Sequence, residues 1–192
     1  MAHQAPGTSH EHVPRELMCP GHAAYFYLDH ADVVDQVAQQ SQAVLHHGHA
    51  GIVIASNSTL QALATHCSMT AHLLWQARVQ GRLQLLDAEL CIGQLTVAGP
   101  EAASHFRALL AQRIQRLAGL FGQVHVYSEL VSMLCERNEH NAAMSLEEAW
   151  VELARERRYD LICGYSMNLF ERSEHAHKVE RLRCAHDRVI RH

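Results

Sequence analysis

The sequence predicts an α/β protein: a three-layer, mostly parallel sheet with helices on both faces. Three observations carry that expectation. Gly51–Ala55 (GIVIA) is an unbroken apolar run of the kind buried on both sides of a parallel sheet. Val124–Tyr127 and Asp160–Tyr165 repeat that character further along the chain. Between such runs the apolar residues recur every three or four positions, so strands and helices alternate.

Taken in order, Cys19-Pro20-Gly21-His22 reads as a turn and Ala23–Leu28 as the first strand. Asp29 or Asp32 caps a helix whose inner stripe is Val34, Val37, Ala38, Ser41, Val44 and Leu45, and Gly48 ends it. After the Gly51–Ala55 strand, Ser56, Asn57 and Ser58 offer caps for a helix with Leu60, Leu63, Ala64 and Cys67 inward. Ala71–Gln80 forms a further helix stopped by Gly81, and Arg82–Leu86 returns as a strand ending on Asp87. Ala88–Val97 is helical and Gly99-Pro100 breaks it. Glu101 opens a long helix with Phe106, Leu109, Leu110, Ile114 and Leu117 inward, and Gly119 and Gly122 bracket the turn into Val124.

The strand at Val124 hands over through Ser128-Glu129 to a helix with Leu130, Met133 and Leu134 on one face. Asn138 falls where that helix must stop, in the left-handed cap position that Asn tolerates best after Gly. The next helix carries Leu146, Ala149, Trp150 and Leu153 inward, with Glu147, Glu148, Glu152, Arg155 and Glu156 read as a solvated face. Val179, Leu182, Ala185 and Val189 have the spacing of a terminal helix. The expected organisation is a tail over residues 1–19, one domain over 20–170, and a helical or tail segment over 171–192.

Composition narrows the function. At 192 residues, 48% hydrophobic and 19% charged, the chain has the make-up of one soluble domain. A net charge of −4 gives no basic footprint for nucleic acid. No apolar run reaches membrane-spanning length, and residues 1–17 have no signal-peptide core. Six cysteines with no C-x-x-C pair point to reduced thiols and a cytoplasmic location. Seventeen histidines are a marked excess and make metal binding a live chemistry.

The strand-to-helix turn after Ala55 reads Ser-Asn-Ser-Thr, with neither the glycines nor the lysine of a phosphate loop. Lys178 is the single lysine of the chain, so no ATP site is expected. No nucleophile–base pair stands at a recognisable spacing, and an enzyme is not expected. Glu129 sits where an apolar strand enters a helix, the end of an open sheet at which ligands bind; complementing the helix dipole is its other role. His22, Tyr25, Tyr27, Glu129, Cys163 and Tyr165 are the polar groups that one pocket at the strand ends would gather. Cys19, His22, Cys184 and His186 are of zinc-ligand type, and His46, His47 and His49 form another cluster. Cys19-Pro20 is also a dipeptide of the haem-responsive kind.

Several stretches in order resemble one family. They are His22-Ala-Ala-Tyr-Phe-Tyr27, Gly81-Arg-Leu-Gln-Leu-Leu-Asp87, Val124-His-Val-Tyr-Ser-Glu129, Leu146-Glu-Glu-Ala-Trp150, Leu161-Ile-Cys-Gly-Tyr165 and Cys184-Ala-His186. Together they resemble the MEDS domain, the methanogen/methylotroph DcmR sensory domain, over about residues 20–190. The resemblance implies a RecA/KaiC-like core lacking Walker A, and a domain that senses a small molecule and acts in trans on a transcriptional regulator or kinase. A metal-responsive protein, with zinc or haem, is the alternative. Self-association is a further expectation. The family's first-strand motif is His-x-Cys-x-x-Tyr; His22 and Tyr27 match it, and Ala24 stands at the cysteine.

Overall fold

The computed structural model describes residues 21–66, 68–97, 101–156, 159–169 and 186–191. Six strands alternate with helices: β1 (His22–Tyr27), α1 (His30–His46), β2 (Ala50–Ala55), α2 (Asn57–Thr65), α3 (Ser68–Val79), β3 (Leu83–Asp87), α4 (Ala88–Val97), α5 (Ala102–Phe121), β4 (Val124–Ser128), α6 (Leu130–Glu136), α7 (His140–Glu156), β5 (Asp160–Ser166) and β6 (Arg188–Arg191). They form one sheet in the order β3-β2-β4-β5-β1-β6. Every pairing is parallel. This is a RecA/KaiC-like core without a phosphate loop. No helix among the described residues is long and apolar enough to cross a membrane.

Two apolar layers hold the sheet. On one face Ala24, Ile52, Ile54, Val126, Leu161 and Cys163 pack against helices α4 to α7. On the other Ala23, Tyr25, Val53, Tyr127 and Ile162 pack against α1, α2 and α3. Side chains alternate across a strand, so consecutive residues join different layers, and burial of the runs on both sides follows. Trp150 anchors α7 in the first layer, 1% exposed, and meets Phe106 edge-on at 6.1 Å.

The local signals act as their chemistry requires. Asp29 caps α1, accepting from the amides of Ala31 and Asp32, while Asp32 reaches back to the cap. Ser56 caps α2 through the Thr59 amide. Asn138 adopts φ 62°, the left-handed turn between α6 and α7.

Four expectations are corrected. Leu109 is 40% exposed and Ala64 is also at the surface, because each falls at the margin of its helix's inner stripe. Glu147 is not solvated: it is 2% exposed. Residues 188–191 form a strand, not the end of a helix. Arg188, Val189, Ile190 and Arg191 pair with Ala23, Ala24, Tyr25 and Phe26, because β1 would otherwise present an unpaired edge. Residues 1–19, Cys67, Gly99-Pro100 and the rest of the expected terminal helix, with Val179, Leu182 and Ala185, lie outside the described residues.

Candidate metal centre

His22 opens β1, and its side chain falls on the same sheet face as Ala24 and Phe26, two and four residues on. The register sets Ala24 beside Cys163 of β5, which brings the Cys163 thiol next to the His22 ring. His22 Nε2 lies 3.3 Å from Cys163 Sγ. Helix α7 crosses this face and lowers Glu147 onto the pair, with Glu147 Oε2 3.8 Å from His22 Nε2. His186, just before β6, completes the group: its Nε2 is 3.9 Å from Glu147 Oε1, and its ring centre is 4.0 Å from that of His22. One ligand atom from each of the four residues lies within 4.8 Å of every other, and all four are buried.

Burial dominates the electrostatics. Glu147 is raised from 4.5 to about 7 by burial, opposed by the hydrogen bond from the Tyr165 hydroxyl. His22 is lowered to about 3, first by burial and then by His186, so its ring is neutral. The Cys163 thiol is pushed well up by burial and then by Glu147. Tyr165 donates to Glu147 Oε1 and its oxygen stands 3.4 Å from His186 Nε2. Glu147 Oε2 and His22 Nδ1 are buried without a hydrogen-bond partner, although buried polar atoms are nearly always paired.

These groups fit a metal ion. A tetrahedral zinc with ligands at about 2.0–2.3 Å separates its donors by about 3.3–3.6 Å. His22 Nε2 and Cys163 Sγ at 3.3 Å already have that spacing, and Glu147 Oε2 stands 3.8 Å from His22 Nε2. The four ligand atoms together spread to 4.8 Å, so a bound ion would draw them inward. Two neutral imidazoles, one thiolate and one carboxylate carry two negative charges, which a divalent cation cancels. That turns a costly buried cluster into a neutral one. The haem expectation rests on Cys19-Pro20, which lies outside the described residues.

The six residues expected in one pocket divide between two places. His22, Cys163 and Tyr165 meet at this centre. Tyr25 and Tyr27 do not, because they stand three and five residues from His22, odd offsets that turn them to the α1–α3 face. Tyr25 reaches the Asp32 carbonyl at 3.4 Å, and burial pushes its hydroxyl up to about 12. Glu129 stands beyond the C-terminal end of β4, where its carboxylate accepts from the Ser56 amide at 2.8 Å and from Thr59 Oγ1 at 3.0 Å. A carboxylate of the chain itself thus fills the N-terminal end of α2, where a phosphate loop would hold phosphate. Burial raises the Glu129 pKa, and those hydrogen bonds oppose the rise.

Of the expected metal ligands, His22 and His186 belong to the centre, and Cys19 and Cys184 lie outside the described residues. The His46, His47 and His49 group supplies no ligand set among the described residues. His47 Nδ1 sits 2.8 Å from the Ala43 carbonyl, and His49 bonds His125 at 3.1 Å. Cys163 was expected in the ligand pocket and not among the metal ligands, and Glu147 is the residue that sequence reasoning missed altogether. Its signal was present: Ala143, Leu146, Glu147 and Trp150 stand at i, i+3, i+4 and i+7, so the acid lies within the apolar stripe of α7.

A family model described as MEDS, the methanogen/methylotroph, DcmR sensory domain, matches residues 21–187. No curated protein matches the chain.

Proposed function

Since the chain belongs to the MEDS family, a sensory rather than a catalytic domain, we propose that it is a metal-responsive sensor whose responsive element is the His22, Glu147, Cys163 and His186 centre. The observation that carries this is the convergence of four buried ligand atoms within 4.8 Å, with a carboxylate oxygen among them lacking any hydrogen bond. The set matches a zinc-like divalent ion, since thiolate and imidazole suit zinc and the closed four-ligand arrangement is that of a non-catalytic site. A bound ion would supply the positive charge that holds the Cys163 thiolate and the Glu147 carboxylate ionised.

The chain's own groups prepare the site. The His22 ring is already neutral, so no proton competes there. Tyr165 holds one oxygen of Glu147 and leaves the other turned towards His22, the outer support that metal ligands commonly have. The thiol stands across from Ala24, so Cys163 supplies sulfur beside the position at which the family motif has its cysteine. Output passes in trans to a regulatory protein, such as a transcriptional regulator or kinase.

Titration with cobalt(II) tests the site. Tetrahedral binding through a thiolate gives an intense ligand-to-metal absorption and d–d bands. Cys163→Ser removes the former and leaves the chain folded by circular dichroism. A cobalt spectrum unchanged by that substitution rejects the assignment.

A second reading places a small organic ligand on the opposite face. It rests on the Tyr127 hydroxyl, which is buried and has no hydrogen-bond partner, in the layer that holds Tyr25 and Tyr27. Native mass spectrometry of the purified chain would reveal such a ligand as added mass, and Tyr127→Phe would lose it. A bare chain mass would set this reading aside.

A further inference from the structure

Three of the four ligands belong to the core: His22 to β1, Cys163 to β5 and Glu147 to α7. His186 instead belongs to the segment that carries β6. Its neighbour Asp187 grips His22 from both sides of the backbone. The Asp187 amide donates to the His22 carbonyl at 2.8 Å, and the His22 amide donates to Asp187 Oδ2 at 2.9 Å. Gly21 makes room for that carboxylate: at φ +128° a Cβ there would lie 2.8 Å from Asp187 Oδ2. Beyond the clamp, β6 has four residues. Val189 packs at the edge of one apolar layer and Ile190 at the edge of the other, and both are only partly buried. A strand this short has little of its own to hold it on the sheet.

We propose that metal occupancy fixes β6 on the sheet, and that the β1 edge uncovered on metal loss is where an extended segment of a partner protein docks. The proposal rests on the four-residue centre being a metal site. The physical coupling is direct. Any opening that lifts β6 with His186 removes one ligand, so metal binds the closed state more tightly and suppresses opening. The open edge would bear the backbone amides and carbonyls of every second β1 residue, those in phase with His22, which β6 now satisfies. The occupant that fits is an extended strand added in parallel, with two adjacent apolar residues, one for each layer, as Val189 and Ile190 are.

Hydrogen exchange on the full chain, zinc-saturated and with EDTA, tests the coupling, while zinc stoichiometry is measured separately by elemental analysis. At zinc a hundredfold above Kd, amides of β6 are expected to exchange about 100-fold more slowly than in the metal-free chain. Asp187→Ala keeps all four ligands and loosens the clamp, so zinc affinity falls in proportion to the fraction of metal-free chain in which β6 stays closed. A peptide of residues 187–191 supplied in trans is expected to bind the metal-free chain and not the zinc-saturated one. Equal β6 protection with and without bound zinc overturns the coupling. So does Asp187→Ala that frees β6 and leaves zinc affinity intact. Peptide binding that ignores zinc overturns the docking surface. Zinc that does not bind at all shows in the stoichiometry; it overturns the metal site itself and the coupling with it.

Discussion

Replacing Glu147 by glutamine separates the cost of this side chain from its use. Its carboxyl pKa is raised from 4.5 to about 7 because the group is buried. A carboxyl raised on folding holds its proton more tightly in the native chain than in the unfolded one. The contribution of Glu147 to stability is therefore complete below about 4.5 and is lost as pH climbs through about 7. At about 1.36 kcal/mol per unit, the loss at pH 8 is roughly 3 kcal/mol. Glutamine has the same shape, keeps an acceptor for the Tyr165 hydroxyl and cannot ionise. His22 contributes in the opposite direction, since a lowered pKa removes stability as pH falls below 6.5 towards about 3. That contribution is present in both chains. Urea unfolding in EDTA is expected to give equal stabilities near pH 4.5, with Glu147→Gln ahead by about 3 kcal/mol at pH 8. With zinc a hundredfold above Kd, the wild-type chain gains about 2.7 kcal/mol and the variant much less. A variant less stable than wild type at pH 8 in EDTA would refute the reasoning, since it would mean that the carboxylate has a stabilising partner in the metal-free fold.

Four further outcomes follow from the packing and the hydrogen bonds. Trp150→Ala, which empties a fully buried site against Phe106, is expected to cost about 3–5 kcal/mol in chemical denaturation. Gly164→Ala is expected to cost about 1–3 kcal/mol, read as a lower urea midpoint, because a methyl there meets the Tyr127 ring and hydroxyl and both are locked in the core. Glu129→Ala leaves the Ser56 amide and Thr59 hydroxyl without their acceptor, a loss of about 1–3 kcal/mol by the same measurement. The wild-type chain, whose α2 terminus is filled by Glu129, is expected to show no micromolar ATP binding in calorimetry.

Much of the fold was legible because its signals are local. GIVIA at β2, the Asp29 cap and the Asn138 turn each follow from residue chemistry within one or two turns of chain. The centre was half legible. His22, Cys163 and Tyr165 could be singled out as polar groups near apolar strands, but not their common face. Strand parity would have separated Tyr25 and Tyr27 from His22 without any structure. Glu147 was hidden because Glu147, Glu148 and Glu152 read as one acidic surface, whereas the phase of α7 turns only Glu147 inward. The β6 strand was hidden for a different reason. Val189 fits a helical stripe in sequence, and only the open edge of β1, fixed by strand order, decides for a strand.

His22, Glu147, Cys163 and His186 are proposed to hold one metal ion. Elemental analysis of the purified chain after zinc loading and desalting tests it most directly, with Cys163→Ser/His186→Ala treated alongside. About one zinc per wild-type chain is expected and close to none in the double variant, both folded by circular dichroism. Stoichiometric zinc retained by the double variant, or none held by the wild type, would contradict it.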